Sequence, residues 1–176
     1  MANQPAGLLL DHLDMLMALD RSLPVLDLAC GKGRNGLLLA REGMHVVFAD
    51  RSPEILEIVQ QELAEGDLPG KIWQVDLEQH EDRVFSGKHY SAILGFCYLH
   101  RPLFPGLKEA LMPGGLVIYE TFTDEQQRFG RPDNPDFLLR PGELKTLFEN
   151  WEIVHYFEGT LENPDRAIAQ IIARKP

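Results

Sequence analysis

The chain has 176 residues, 44% hydrophobic and 25% charged, which suits one domain whose core needs neither a metal nor a disulfide. A net charge of −10 repels phosphate backbones and disfavours nucleic acid as a partner. Two cysteines, Cys30 and Cys97, rule out a disulfide framework and suit a reducing cytoplasm.

The N-terminal apolar run is cut by Asp11, so neither a signal peptide nor a membrane span is expected there. Leu9, Leu10, Leu13, Leu16 and Met17 are spaced for an amphipathic cover helix over 6–20. A short buried strand is expected at 24–28, a helix at 34–42 stopped by Gly43, and a second strand at 45–49. Ser52-Pro53 reads as an N-cap followed by proline at the first helical position, with the helix running to Gly66. Strands follow at 72–75 and 90–96, then a helix at 102–112, a turn at Pro113-Gly114-Gly115 and a strand at 116–121. Such alternation implies a parallel sheet with right-handed crossovers. Beyond it, Thr123 to Gln126 has capping-box spacing, so a short helix is expected. A polar loop spans 128–141 and a last helix 142–150. Strands at 151–157 and 167–173, with no helix between, should pair antiparallel.

Val25-Leu26-Asp27-Leu28-Ala29-Cys30-Gly31-Lys32-Gly33 joins the first strand to a glycine-rich turn. Gly31 and Gly33 permit a ligand to approach the backbone, and the next helix presents unpaired N–H groups. Asp50 ends the second strand, where a carboxylate can accept both hydroxyls of a ribose. Arg51, next in the chain, is counted with it among the expected cofactor-binding residues. Asp76 follows the third strand, in reach of an adenine amino group. Gly31-x-Gly33-x-x-Gly36 also fits the dinucleotide fingerprint. Asp27 argues against a diphosphate and for a cationic ligand such as S-adenosylmethionine, which carries an ammonium and a sulfonium.

The 25–33 segment resembles motif I of class I S-adenosylmethionine-dependent methyltransferases, with Ala29 where glycine is commonest. Asp50 resembles that family's ribose-binding acid, and Asp76-Leu77 its adenine-contacting position. Leu111 to Ile118 looks like the approach to its strand five. The resemblance implies a Rossmann-like α/β fold. Its seven-stranded, mostly parallel sheet would have order 3-2-1-4-5-7-6, strand seven antiparallel, with helices on both faces. It implies one domain over 1–176, with a cofactor-binding half at 21–122 and an acceptor-side loop and hairpin at 123–176. Within the class, the small size, the short N-terminal helix and the lack of a large insertion resemble the TehB-like, tellurite-resistance type, and the segments 119–123, 129–132 and 134–139 resemble a bacterial branch of it.

Methyl transfer needs alignment and water exclusion more than acid–base help. Tyr98, His100 and Arg101 follow the fourth strand and are the catalytic candidates. His100 is a general base by type, because imidazole titrates near neutrality, and Arg101 and Arg131 are anchors for an anionic acceptor. Glu120 and Thr121 follow the fifth strand on the same side. The Asn/Asp-Pro-Pro-Tyr pattern of amino-group methylation is replaced by Gly95-Phe96-Cys97-Tyr98, leaving oxygen, sulfur or a metalloid oxyanion as acceptor. The expected partners are a small soluble acceptor and S-adenosylmethionine, leaving S-adenosylhomocysteine. No metal is expected, because His12, His45, His80, His89 and His155 lack ligand spacing. A nicotinamide-dependent oxidoreductase and a non-catalytic adenosyl-binding module remain open at this point, as do monomer and homodimer. The 128–139 stretch is expected to act as an acceptor lid, and the acidic run 78–82 as a solvated turn.

Overall fold

Apolar strand segments bounded by glycine, proline and polar turns place every element of the computed structural model, which describes residues 4–79 and 83–176. His80, Glu81 and Asp82 of the expected acidic turn lie outside the described residues. In chain order come helices Gly7–Asp11 (α1) and Leu13–Met17 (α2), strand Val25–Leu28 (β1), helix Arg34–Arg41 (α3) and strand Val46–Asp50 (β2). Helix Pro53–Glu65 (α4) and strands Gly70–Gln74 (β3) and Tyr90–Phe96 (β4) follow, then helix Phe104–Ala110 (α5) and strand Leu111–Phe122 (β5). The chain closes with helix Glu143–Leu147 (α6) and strands Glu152–Leu161 (β6) and Arg166–Arg174 (β7).

The seven strands form one sheet of order β3-β2-β1-β4-β5-β7-β6. β1 to β5 run parallel, while β7 is antiparallel to both β5 and β6, as the sequence pattern implied. Alternation along the strands splits the core between two faces. Val25, Phe48, Ala92 and Leu94 meet Leu9, Leu37, Leu39 and Val59 from α1, α3 and α4 on one face. Leu26, Ala49, Ile93 and Tyr119 meet Leu107 of α5, Leu144 of α6 and Phe148 just after it on the other.

Four local expectations are corrected. The cover helix is two short helices, broken at His12 (φ −126°, ψ 23°), whose ring Nδ1 turns back to the Leu8 carbonyl at 3.0 Å. The 102–112 helix is a single 3-10 turn, Arg101–Leu103, followed by α5. Pro113, Gly114 and Gly115 are an irregular stretch inside β5, where pairing jumps from Tyr90↔Leu111 to Ala92↔Leu116. Lys175 holds that stretch to the sheet by accepting from Gly114 N and donating its own N–H to Gly115 O. Thr123 makes no side-chain cap, so the capping box fails and a 3-10 helix, Asp124–Arg128, forms instead. Gln126 reaches away from Thr123, accepting from Ala167 N at 2.9 Å and donating to Arg131 O at 3.1 Å. Ser52, by contrast, caps α4 as expected, accepting from Ile55 N.

Candidate functional site

The parallel strands β1, β2, β3 and β4 end at one edge of the sheet, and the turns beyond them build the site. The turn after β1 holds Ala29, Gly31 and Gly33 at φ 50°, 53° and 72°. Gly31 faces open space, with nothing within 4 Å of where a Cβ would stand. Gly36, in the first turn of α3, serves packing instead: a Cβ there would lie 2.7 Å from Asp27 Oδ2 and 2.5 Å from Phe48. Helix α3 can thus close on β1 only because residue 36 lacks a side chain.

Asp27 is buried at 3% exposure and accepts Gly36 N at Oδ2, 2.9 Å away. Burial pushes its pKa up to about 7; the Gly36 amide and the Arg34 charge oppose that rise, and Asp50 adds to it. Asp27 also lines a cavity of about 230 Å3 under the glycine turn, shared with Gly31, Arg34 and Cys97. Asp50 accepts Gly31 N at 2.9 Å and Ser52 N at 3.0 Å, one on each carboxylate oxygen. It therefore ties the glycine turn to β2 and leaves further lone pairs for a ligand. Asp76 closes its own turn by accepting Glu78 N and Gln79 Nε2, both at 3.0 Å.

Asp50, Arg51, Asp76, Leu77 and Tyr98 all line one cavity of about 310 Å3, together with Ala29 and Cys97. It extends from the end of β3 across β2, β1 and β4 to Phe122 at the end of β5, under Pro132 and Phe137 of the following loop. Ala29 and Cys97 line both cavities and mark where the two meet. The Tyr98 hydroxyl is buried without a hydrogen-bond partner among the described residues. Burial, with Glu78 and Asp76 near, pushes its pKa well above the ordinary phenol range.

The other acceptor-side candidates are placed differently from expectation. His100 lies on neither cavity, so the geometry does not bring the expected base to the site. Arg101 is taken up by structure: Nε and Nη2 meet Glu143 at 2.6 and 2.8 Å, while Nη1 and Nη2 donate to Asp136 O and Leu138 O. Its hydrogen bonds with Glu143 raise the Arg101 pKa and lower that of Glu143. Glu120 and Thr121 lie within β5, and Glu120 is buried between Arg166 at 3.2 Å and Gln170 at 2.7 Å. Arg131 is exposed and contributes its carbonyl to Gln126.

Pro132 and Phe137 in the cavity wall belong to the 128–139 stretch expected as a lid, without having been singled out, while sequence reasoning passed over Phe122 in that wall and Tyr119 behind it. Tyr119 donates to Tyr98 O at 2.8 Å, and its ring occupies the space a Cβ on Gly95 would need. The Gly95–Tyr119 pairing across adjacent strands was a legible signal, because a strand-interior glycine often marks such a close approach. The Arg101–Glu143 pair, 42 residues apart, had no local signal.

Among the described residues no group of three or more His, Cys, Asp or Glu could hold a metal ion, and no helix is long and apolar enough to cross a membrane. No curated protein matches the sequence significantly. Among solved structures, TehB from Haemophilus influenzae is 23% identical with a TM-score of 0.79, covering 97% of this chain, which spans 62% of that one. The N-methyltransferase NodS from Bradyrhizobium japonicum is 16% identical, with a TM-score of 0.70 over 94% of each chain. Magnesium protoporphyrin IX methyltransferase from Synechocystis, solved with bound SAH, is 16% identical with a TM-score of 0.67, over 88% of this chain and 74% of that one. At these identities the likeness is one of fold. A methyltransferase-domain family profile matches residues 25–115, just over half the chain and the stretch that carries every cofactor-side residue named above, and the chain therefore belongs to the methyltransferase domain family.

Proposed function

We propose that the chain binds S-adenosylmethionine along the ends of β3, β2 and β1 and transfers its methyl group to a small soluble acceptor, at oxygen, sulfur or a metalloid oxyanion. The observation that supports this reading is the cavity lined from Asp76 to Phe137, which shares Ala29 and Cys97 as wall residues with the smaller one lined by Asp27. Its lining suits the ligand. Asp50 offers acceptors for a ribose diol, Asp76 and Leu77 bracket an adenine, and the Tyr98 hydroxyl is a buried donor that needs a polar partner. The Gly31 turn and Asp27 suit the ammonium and carboxylate of a methionine end, with Arg51 beside the ribose.

When bound, the sulfonium supplies an already activated methyl carbon. The chain's own residues then align the partners and exclude water. Pro132 and Phe137 cover the acceptor end, and Arg101 positions their loop through the carbonyls of Asp136 and Leu138. His100, off the cavity, is not assigned the role of base. We place the protein in the cytoplasm, as one domain over 1–176 acting as a monomer or homodimer. A nicotinamide cofactor is set aside because its diphosphate would lie against the Asp27 carboxylate. Calorimetric titration with S-adenosylhomocysteine and NAD tests the assignment. Binding of the former alone is expected, and binding of NAD alone contradicts it.

A further inference from the structure

Among the described residues, one buried side-chain oxygen or nitrogen has no hydrogen-bond partner: the Tyr98 hydroxyl. A buried group left unpaired is costly and rare, so its surroundings indicate what it is built to meet. Its position is fixed from two directions. The Tyr98 carbonyl accepts the Tyr119 hydroxyl at 2.8 Å, and the Tyr98 ring packs on the apolar cluster that contains Leu77 and Leu99. Cys97, just before it, stands at φ 56°, a left-handed backbone that breaks the extended path of β4. Tyr98 lines the larger cavity and not the smaller one under the glycine turn.

Charge effects tell which end of the larger cavity the hydroxyl faces. Beyond burial, Glu78 acts on it most, then Asp76, Arg51 and Asp50, all from the segments that follow β3 and β2. Beyond burial, Cys97 responds instead to Glu120 of β5, Arg34 of α3 and Arg166 of β7. Two adjacent residues thus face opposite ways, and Tyr98 faces the Asp76 end. Asp50, Asp76 and Glu78 are acceptors there when ionised. The hydroxyl keeps its proton, because burial pushes its pKa well above the ordinary phenol range, and it hydrogen bonds with none of the three. This end of the cavity therefore combines carboxylate acceptors with a fixed, buried donor. Adenine carries the complement: an amino group that donates and ring nitrogens that accept. In the free chain a water can serve the hydroxyl, and a base that displaces such a water must return its hydrogen bond.

We propose that Tyr98 reads the adenine of the cofactor, its hydroxyl donating a hydrogen bond to a ring nitrogen, and does not act on the methyl acceptor. This rests on the cofactor placement above and deepens it. The carboxylate of Asp76 accepts from the amino group while Tyr98 supplies the donor, so a base lacking the matching ring nitrogen leaves a buried hydroxyl unpaired and is rejected.

The test is calorimetric, on the full chain, with S-adenosylhomocysteine and its 1-deaza, 3-deaza and 7-deaza analogues, each with one ring nitrogen replaced by C–H. Tyr98→Phe keeps the ring and removes only the donor. The variant is expected to bind S-adenosylhomocysteine about tenfold more weakly, the scale of leaving one buried acceptor unpaired. On one of the three analogues the partner atom is gone, so wild type and variant are expected to bind it equally; on the other two the gap should persist. The ligand-free variant is expected to match or exceed the wild-type Tm, because the lost hydroxyl has no partner in the chain. Equal affinity of the two proteins for S-adenosylhomocysteine overturns the proposal and leaves the cofactor reading standing. A gap that persists on all three analogues also overturns it, since the partner then lies on the ribose or the methionine end. A lower Tm in the ligand-free variant overturns it as well, because the hydroxyl then serves the fold. Absence of S-adenosylhomocysteine binding to the wild type overturns the cofactor reading itself, and this proposal with it.

Discussion

Asp27 carries a proton-linked cost that makes its role measurable. Its carboxyl titrates near 4 in an unfolded chain and at about 7 in the fold. The folded state therefore holds more protons between those values, so this group's contribution to stability is full below about pH 4 and lost as pH rises through about 7. Asp27→Asn keeps an oxygen for Gly36 N–H and removes the titration. We expect denaturation midpoints of the variant to lose that downward slope; an identical slope in both proteins contradicts the burial argument. A cationic ligand prefers the ionised form, so S-adenosylhomocysteine affinity of the wild type should rise from about pH 6 to about pH 8. A flat affinity profile would place the ammonium elsewhere. Asp50 has two duties, because it holds the glycine turn as well as facing the cavity. Asp50→Ala should lower S-adenosylhomocysteine affinity by about 1.5–3 kcal/mol, the range for a hydrogen bond to a charged group, and lower Tm as well. Unchanged affinity, read by calorimetry, refutes its ribose role.

The loop after β5 is anchored from two sides. Gln126 ties it to β7 through Ala167, and Arg101 grips it at Asp136 and Leu138 while pairing with Glu143 of α6. Arg101 is about one-third exposed, so solvent screens part of the pairing. Arg101→Ala should cost about 1–2 kcal/mol of stability and speed amide exchange over 134–139, with S-adenosylhomocysteine affinity retained. Loss of turnover with slow exchange preserved would instead place Arg101 in the chemistry. The sequence-based expectation of an anion anchor erred for a physical reason. Arginine after a strand reads the same whether its fork meets a substrate or a glutamate 42 residues away, and only the tertiary fold decides. The capping box at 123–126 failed similarly, because the Gln126 side chain found backbone partners at Ala167, 41 residues away, and at Arg131 instead of Thr123.

At the level of the whole molecule, β3 is shorter in apolar residues and joins β4 without a helix, but most of the sheet was legible because β1, β2, β4 and β5 carry largely apolar runs and the crossovers after β1, β2 and β4 carry helix signals. β4 shows this: all seven of its residues are buried, and its bounds match expectation residue for residue. The antiparallel end was legible from the missing helix between β6 and β7. The β1 turn and the acids after β2 and β3 were readable because they lie at strand ends, where chain order fixes position in space. On the acceptor side only the 128–139 loop as a whole was readable, since Phe122, Pro132 and Phe137 converge only through its irregular path. The same topology puts Asp76, Asp50, Ala29, Cys97 and Phe122 along one line of strand ends, which fixes the direction a bound ligand must take. A crystal structure of the chain with S-adenosylhomocysteine reads that direction without intermediaries. We expect adenine at Asp76 and Leu77, the ribose diol on Asp50, the amino group toward Asp27, and the sulfur between Ala29 and Cys97, facing Phe137. A ligand lying in the reverse direction, or seated away from these residues, would contradict the account.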